Sequence, residues 1–217
     1  MIRAYVENLM GLPPGAITEI AFLGEAQAGR IPAAQRAELA AESRRFGCRL
    51  AQQVRAEHGE APVGELPERY GLRVEWAHGQ VDADYALFAC FEPPDRVLVN
   101  LDNVQATHQL MEKEDLRQWL GAVDVGEVLL AHELYHSLEA GQPDPFPQRK
   151  VPMKGLLFGT ASRRVACLEE IAAMAFAETL CGLPYSAYLL NVVMLEAGHP
   201  QRAAELYERY MDCGGLL

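Results

Sequence analysis

The chain has 217 residues, 50% of them hydrophobic, and a formal net charge of −11. A chain of this size can bury a substantial core and most simply forms one domain over residues 1–217. The acidic balance argues against direct binding to nucleic acid, because phosphate contacts need a basic face. The sequence contains no apolar run of the roughly 18 to 20 residues that cross a membrane, so we expect no membrane partner.

The sequence predicts mostly helices, and the predicted strands are grouped in one region of the chain. In chain order they are a helix at 32–57, a short helix at 63–70, strands at 72–77, 84–91 and 96–100, and helices near 112–120, 125–140, 168–177, 185–197 and 200–212. This order predicts an α+β fold, with a small and mostly antiparallel sheet packed on a helical body. Residues 1–31 are weakly patterned and either pack on the body or form a partner-specific extension. The proline-rich, partly basic loop 141–165 is interpreted as a solvated connector, with the binding of an acidic protein segment as the alternative.

The cysteines give information about the compartment. There are five of them, at positions 48, 90, 167, 181 and 213, and none forms a C-x-x-C pair. This pattern favours reduced thiols over a disulfide framework or a cysteine-ligated zinc. Glu7 also stands where a secretory signal would have its apolar core. We therefore predict a cytoplasmic protein.

An H-E-x-x-H motif lies in the predicted helix 125–140. On a helix, His132 and His136 point the same way, one turn apart. Two neutral imidazoles so placed can take two corners of a zinc tetrahedron, and Glu133 between them can reach a water on the metal. Asp124 and Glu127 form a capping-box pattern at the start of this helix. The alternative is a core helix that carries two histidines by chance.

A catalytic zinc site needs a third protein ligand and an open fourth position. The segment 168–177 is too apolar for a surface helix, yet it carries Glu170, which would be costly to bury unpaired. The helical neighbours of Glu170 are mostly small, including Ala173 and Ala177, so another helix could approach closely. A capping role or a surface ion pair is the alternative for Glu170. Glu178 is the reserve ligand.

Four segments in this order carry a family resemblance. They are residues 51–76, residues 86–100, the motif from His132 to His136, and the pattern Glu170-x-x-Ala173-x-x-Phe176-Ala177-x-x-Leu180 followed by Pro184. Over roughly 46–184 the chain resembles the ImmA/IrrE family of zinc metallopeptidases, which leaves 1–45 as an extension and 185–217 as closing helices. The resemblance implies a compact zincin-like domain with Glu170 as the third zinc ligand. It also implies a regulatory peptidase that cuts a specific protein, often a transcriptional repressor, under stress or mobile-element induction.

The chain departs from the family pattern at three places. Tyr135 stands where members usually have Gly, so a bulky ring must fit beside the second histidine. Val128 replaces an aromatic residue one turn before His132. The stretch between Asn100 and His132 is also longer than expected. These departures affect the shape of the cleft rather than the ligand set.

The predicted chemistry is hydrolysis of a peptide bond by a zinc-activated water. One Zn²⁺ per chain is expected on His132, His136 and Glu170, although Mn²⁺ or Fe²⁺ can occupy such sites. Glu133 is predicted to act as the general base. A sheet edge at 84–91 or 96–100 could align the substrate as an added strand.

The sequence alone leaves two points open, which are the residue that stabilises the oxyanion and the choice between an enzyme and an interaction protein. Tyr185 and Tyr188 are candidates for stabilising the oxyanion, with core or surface tyrosines as the alternative reading. The competing function is a catalytically weak, metal-containing interaction protein that acts as the partner of a repressor or antitoxin. Glu133 favours the enzyme, because a purely structural metal site needs no base.

Overall fold

A computed structural model describes residues 1–79, 88–154 and 160–215. Its helices are α1 (Ile2–Met10), α2 (Pro14–Phe22), α3 (Ala33–His58), α4 (Leu66–Arg69), α5 (Leu101–Lys113), α6 (Arg117–Leu120), α7 (Val125–Ala140), α8 (Cys167–Cys181), α9 (Tyr188–Gly198) and α10 (Pro200–Gly215). Its strands are β1 (Arg73–Ala77), β2 (Ala89–Glu92), β3 (Arg96–Asn100), β4 (Val151–Lys154) and β5 (Thr160–Arg163), and single 3-10 turns cover Ala28–Arg30, Val63–Glu65 and Phe146–Gln148. The predicted α+β class is confirmed.

The main sheet has three strands in the order β1-β3-β2. Strand β3 pairs in parallel with β1 and antiparallel with β2, and β4 and β5 form a separate antiparallel pair. Because β3 is central and buries Val97 and Val99, the prediction that 96–100 is a sheet edge open to substrate is wrong. Within the described residues β2 has a neighbour on one side only. The first part of the predicted strand 84–91, residues 84–87, lies outside the described residues.

Helix α8 is buried between α3 and α7. The contact with α3 is closest at Gly47, where an added Cβ would lie 2.1 Å from the carbonyl oxygen of Ala172. No side chain fits in that space, so only glycine lets the two helices approach this closely. The apolar residues that fill the rest of this contact include Leu50, Val54 and Phe176. The α3–α8 contact thereby fixes the helix that carries Glu170.

This close approach makes Gly47 sensitive to the smallest substitution. We expect Gly47→Ala to lower the free energy of unfolding by about 3 kcal/mol, because the added methyl group meets backbone rather than a flexible side chain. Urea denaturation measures the loss. The matched control is Gly198→Ala in α9, where an added Cβ meets nothing within 4 Å. Equal stability of Gly47→Ala and the wild type would contradict the close contact.

Three regions differ from their predicted form. The predicted helix at 112–120 is found only in part, as the end of α5 and as α6, because α5 begins directly after β3 at Leu101 and ends at Lys113. Asn100 explains the early start, since its side chain accepts a hydrogen bond from the Asn103 N–H and caps α5. The loop 141–165 contains the β4–β5 pair. Residues 1–31 form α1 and α2, which pack on the body; Tyr5 stacks on Tyr207 with ring centroids 3.8 Å apart.

Two further observations concern the whole described chain. In the described ranges, no helix is both long enough and apolar enough to span a membrane. All five cysteines carry free thiols.

Candidate metal centre

Helix α7 presents the H-E-x-x-H motif and is fixed at its first turn. The Asp124 carboxylate accepts hydrogen bonds from the N–H groups of Gly126 and Glu127, at 2.8 and 3.2 Å. These bonds satisfy two of the free N–H groups at the helix start. The predicted capping box is only half formed, because the Glu127 carboxylate accepts from the Gly64 N–H instead. That bond ties α7 to the 3-10 turn before α4.

The side chains of His132, His136 and Glu170 converge from α7 and α8. One ligand atom from each lies within 4.8 Å of the others. The two histidine Nε2 atoms are 3.2 Å apart, and Glu170 Oε2 and Oε1 lie 3.2 and 3.6 Å from the Nε2 atoms of His132 and His136. The three residues predicted as ligands are thus brought together. They could hold a metal ion.

The three ligand residues shift one another's pKa values. Burial alone would lower the pKa of His132, but its hydrogen bond to Glu170 and the nearby Glu133 raise the pKa above its ordinary value. Burial and the neighbouring His132 lower the pKa of His136 to about 4. Burial would raise the pKa of Glu170, but its hydrogen bond to His132 and the charges of His132 and His136 together outweigh burial and lower it. At neutral pH the group therefore contains an ionised carboxylate and a neutral His136.

Glu133 lies beside the three ligands and has a separate partner. Its side chain is buried, and one carboxylate oxygen accepts a hydrogen bond from the Phe91 N–H at 2.7 Å. Phe91 belongs to β2, and this N–H points away from β3, toward the side on which β2 has no strand neighbour among the described residues. Burial raises the pKa of Glu133. A carboxylate so placed can accept a proton more readily than one in water.

Tyr135 fits beside His136 by pointing into the core. Its ring is fully buried and lies edge-on to Phe46, with centroids 6.4 Å apart, and 5.8 Å from the ring of Phe176. The hydroxyl donates a hydrogen bond to the buried Glu139 at 2.9 Å. The bulky ring that had to fit beside the second histidine therefore packs between α3 and α8.

This buried pair can be tested by removing one oxygen. We expect Tyr135→Phe to lower the free energy of unfolding by about 1–2 kcal/mol, because the buried Glu139 carboxylate loses a donor. Thermal or urea denaturation measures the loss. Tyr70→Phe is the matched control, since the Tyr70 hydroxyl donates to the exposed Glu57, and its effect should stay within about 0.5 kcal/mol. A Tyr135→Phe protein as stable as the control would contradict this account.

Glu178, the reserve ligand, uses both carboxylate oxygens in other contacts. One of its carboxylate oxygens accepts from the Ala187 N–H at 2.8 Å, and the other pairs with Arg44 at 2.7 Å. Glu178 thus connects the start of α9 to α3. The structure does not bring it to the metal-ligand group.

The two tyrosines considered for the oxyanion also have other surroundings. The Tyr185 hydroxyl donates to the carbonyl oxygen of Leu120 at 3.1 Å. The Tyr188 hydroxyl is buried and has no hydrogen-bond partner among the described residues. Both side chains line cavities whose walls include none of the three ligand residues and not Glu133. These contacts give no support for a role at the metal centre.

Sequence reasoning missed two groups that contact residues of the motif, one beside Glu133 and one beside Tyr135. The Phe91 N–H that holds Glu133 is a backbone group and leaves no sequence signal. Glu139 could have been found, because it lies four residues after Tyr135 on the same helix, a spacing at which side chains meet.

Comparisons of the chain with protein-family models, with curated proteins and with solved structures find no match. The resemblance to the ImmA/IrrE family therefore stays a prediction. A functional inference must then come from the site, since a fold alone does not specify a function.

Proposed function

We propose that the protein is a zinc-dependent metalloendopeptidase that hydrolyses a specific peptide bond in a regulatory protein, with a transcriptional repressor as the favoured substrate class. The observation that carries the proposal is the convergence of His132, His136 and Glu170 beside a buried Glu133. Two imidazoles and a carboxylate form the donor set of hydrolytic zinc sites, which keep the fourth position free.

The spacing of the ligand atoms supports zinc. Ligand atoms about 2.0–2.2 Å from a tetrahedral ion lie about 3.3–3.6 Å from one another. The two histidine Nε2 atoms are 3.2 Å apart, and the Glu170 carboxylate places one oxygen 3.2 Å from the Nε2 atom of His132 and its other oxygen 3.6 Å from that of His136. The ligands therefore need little movement to close on one ion. Mn²⁺ and Fe²⁺ accept the same donors, so the supply of metal also influences which ion binds.

Each residue then has a defined part in hydrolysis. His132, His136 and Glu170 would hold the zinc ion, which would supply Lewis-acid chemistry that lowers the pKa of water toward ~7. Glu133 would accept a proton from the attacking water and would later give it to the leaving amine. The Phe91 N–H holds the Glu133 carboxylate in place between these two transfers. The pKa of Glu133, raised by burial, brings its proton affinity closer to that needed at neutral pH.

The position of β2 supports a peptide as substrate. Strand β2 is at an edge within the described sheet, and its Phe91 N–H contacts Glu133 directly. An extended peptide can add to such an edge as a further strand, which brings its backbone carbonyls to the base.

The proposal is tested with a peptide library made by digesting a bacterial proteome with trypsin. We expect the zinc-loaded full chain to generate new peptide termini with a consistent sequence around the cut. Removal of zinc by a chelator should abolish these cuts, and added zinc should restore them. A library that stays intact with zinc-loaded protein would favour the interaction protein over the peptidase.

A further inference from the structure

Helix α8, which carries Glu170 in its first turn, begins after a residue that cannot cap it. This residue is Ala166, whose methyl side chain is unable to accept a hydrogen bond. The first N–H groups of a helix have no partner within the helix and need acceptors from elsewhere. The second and third N–H groups of α8 bond to carbonyl oxygens just before the helix. The first N–H group, that of Cys167, therefore needs a different acceptor.

The acceptor comes from the N-terminal part of the chain. One carboxylate oxygen of Glu25, in the loop between α2 and α3, accepts a hydrogen bond from the Cys167 N–H at 3.3 Å. The other oxygen accepts from the Gln27 N–H at 2.9 Å. A carboxylate at the start of a helix satisfies an N–H group there and is stabilised by the helix dipole. Glu25 thus caps a helix that begins 142 residues later in the chain.

The loop that carries Glu25 is itself held by α3. Arg36 donates hydrogen bonds to the carbonyl oxygens of Ala28 and Ile31, at 3.2 and 2.9 Å. The same guanidinium pairs with Glu19 of α2 at 2.6 Å. These contacts connect α2, the loop and α3. The loop therefore presents the Glu25 carboxylate to α8 in a defined position.

The residues on either side of this loop also pack against the start of α8. Phe22, at the end of α2, and Ile31, just before α3, are buried in one apolar cluster with Leu168 and Ile171 of α8. Glu170 lies between these two α8 residues, and its carboxylate points to the two histidines. A shift of the first turn of α8 would therefore move the Glu170 carboxylate relative to both imidazoles.

We propose that Glu25 is a positioning residue of the metal centre, because its cap on α8 fixes the turn that carries Glu170 and so sets the affinity of the site for metal. Groups that orient metal ligands typically change metal affinity by about 10- to 100-fold when they are removed. Glu25 acts through the helix rather than on the ligand itself, so its effect should be at the lower end. Residues 1–31 then contribute to the metal centre. This inference rests on the metal centre of the proposed function but not on peptidase activity.

The test measures the affinity of the full chain for Zn²⁺ and Co²⁺ by competition with a coloured chelator. Glu25→Met has nearly the same shape but no oxygen acceptor, and we expect it to bind both metals about tenfold more weakly. Glu25→Gln keeps one oxygen acceptor, so it should retain the fold and bind about threefold more weakly. The visible absorption of bound Co²⁺, which depends on ligand geometry, should change in Glu25→Met because the Glu170 carboxylate moves.

A matched control separates positioning from a general loss of stability. Asn100→Ala removes the cap of α5, a helix that carries none of the three ligands. It should lower the melting temperature but leave both metal affinities and the Co²⁺ spectrum unchanged, with each variant compared well below its melting temperature. Wild-type affinities and spectrum in both Glu25 variants, or an equal loss of affinity in Asn100→Ala, would overturn the positioning role and leave the peptidase proposal intact. A wild type that binds neither metal would overturn both.

Discussion

Glu133→Gln is expected to reduce peptide cleavage by about 1,000-fold or more while leaving metal content unchanged. General acid–base catalysis typically contributes about 10² to 10⁴ in rate, and Glu133 would act as base and then as acid. The amide of Gln cannot accept the proton. It can still accept the hydrogen bond from the Phe91 N–H, so the fold around β2 should be retained.

The readout is the initial rate of cleavage at a site found with the wild type. Glu139→Gln serves as the matched control, because it is also a buried glutamate on α7 but its contact is with Tyr135. This control should keep most of the activity of the wild type. Equal activity of Glu133→Gln and the wild type would remove Glu133 from the mechanism. Loss of metal in Glu133→Gln would instead make it a ligand.

Zinc should stabilise the folded protein strongly, because the unfolded chain lacks the assembled site. With free zinc about 1,000 times above its dissociation constant, the expected gain in the free energy of unfolding is about 4 kcal/mol. In Glu170→Ala the gain should largely disappear. Glu169→Gln is the matched control, because Glu169 is adjacent in α8 but pairs with Arg164. Denaturation with and without zinc measures both gains.

The zinc-dependent gain should decrease with falling pH. A histidine must be neutral to bind a metal, so protons compete with zinc for both imidazoles. The pKa of His132 is raised, which makes it the first histidine to be protonated as the pH falls, whereas the pKa of His136, about 4, keeps that ring neutral. The gain should therefore be large near pH 7.5 and much smaller near pH 5.5. A gain that is constant over this range would contradict histidine ligation.

The sequence predicted the ligand helices well, because their signals are local. The four-residue spacing of His132 and His136 places both rings on one helical face whatever the rest of the fold does. Asp124 and Gly141 mark the ends of α7, where the structure places them. Glu170 could be predicted because its helical neighbours, including Ala173 and Ala177, are small and let another helix approach closely.

The parts of the fold and of the site that the sequence did not predict depend on contacts between distant parts of the chain. The order of the three strands cannot be read from their sequences, so the central place of β3 was missed. Glu178 and Glu170 lie on the same helix and differ only in what other elements bring to them, which is Arg44 in one case and two histidines in the other. The buried surroundings of Tyr188 likewise depend on α1 and α2, which lack a strong sequence pattern.

The most direct test of the metal centre is elemental analysis of the protein purified without added zinc. We expect about one zinc per chain in the wild type and in Glu169→Gln, and far less in His136→Ala and Glu170→Ala. Folding of each variant is checked by circular dichroism, so that loss of metal is not confused with loss of structure. Full zinc content in Glu170→Ala, or no zinc in the wild type even after zinc is added back, would contradict the three-ligand site.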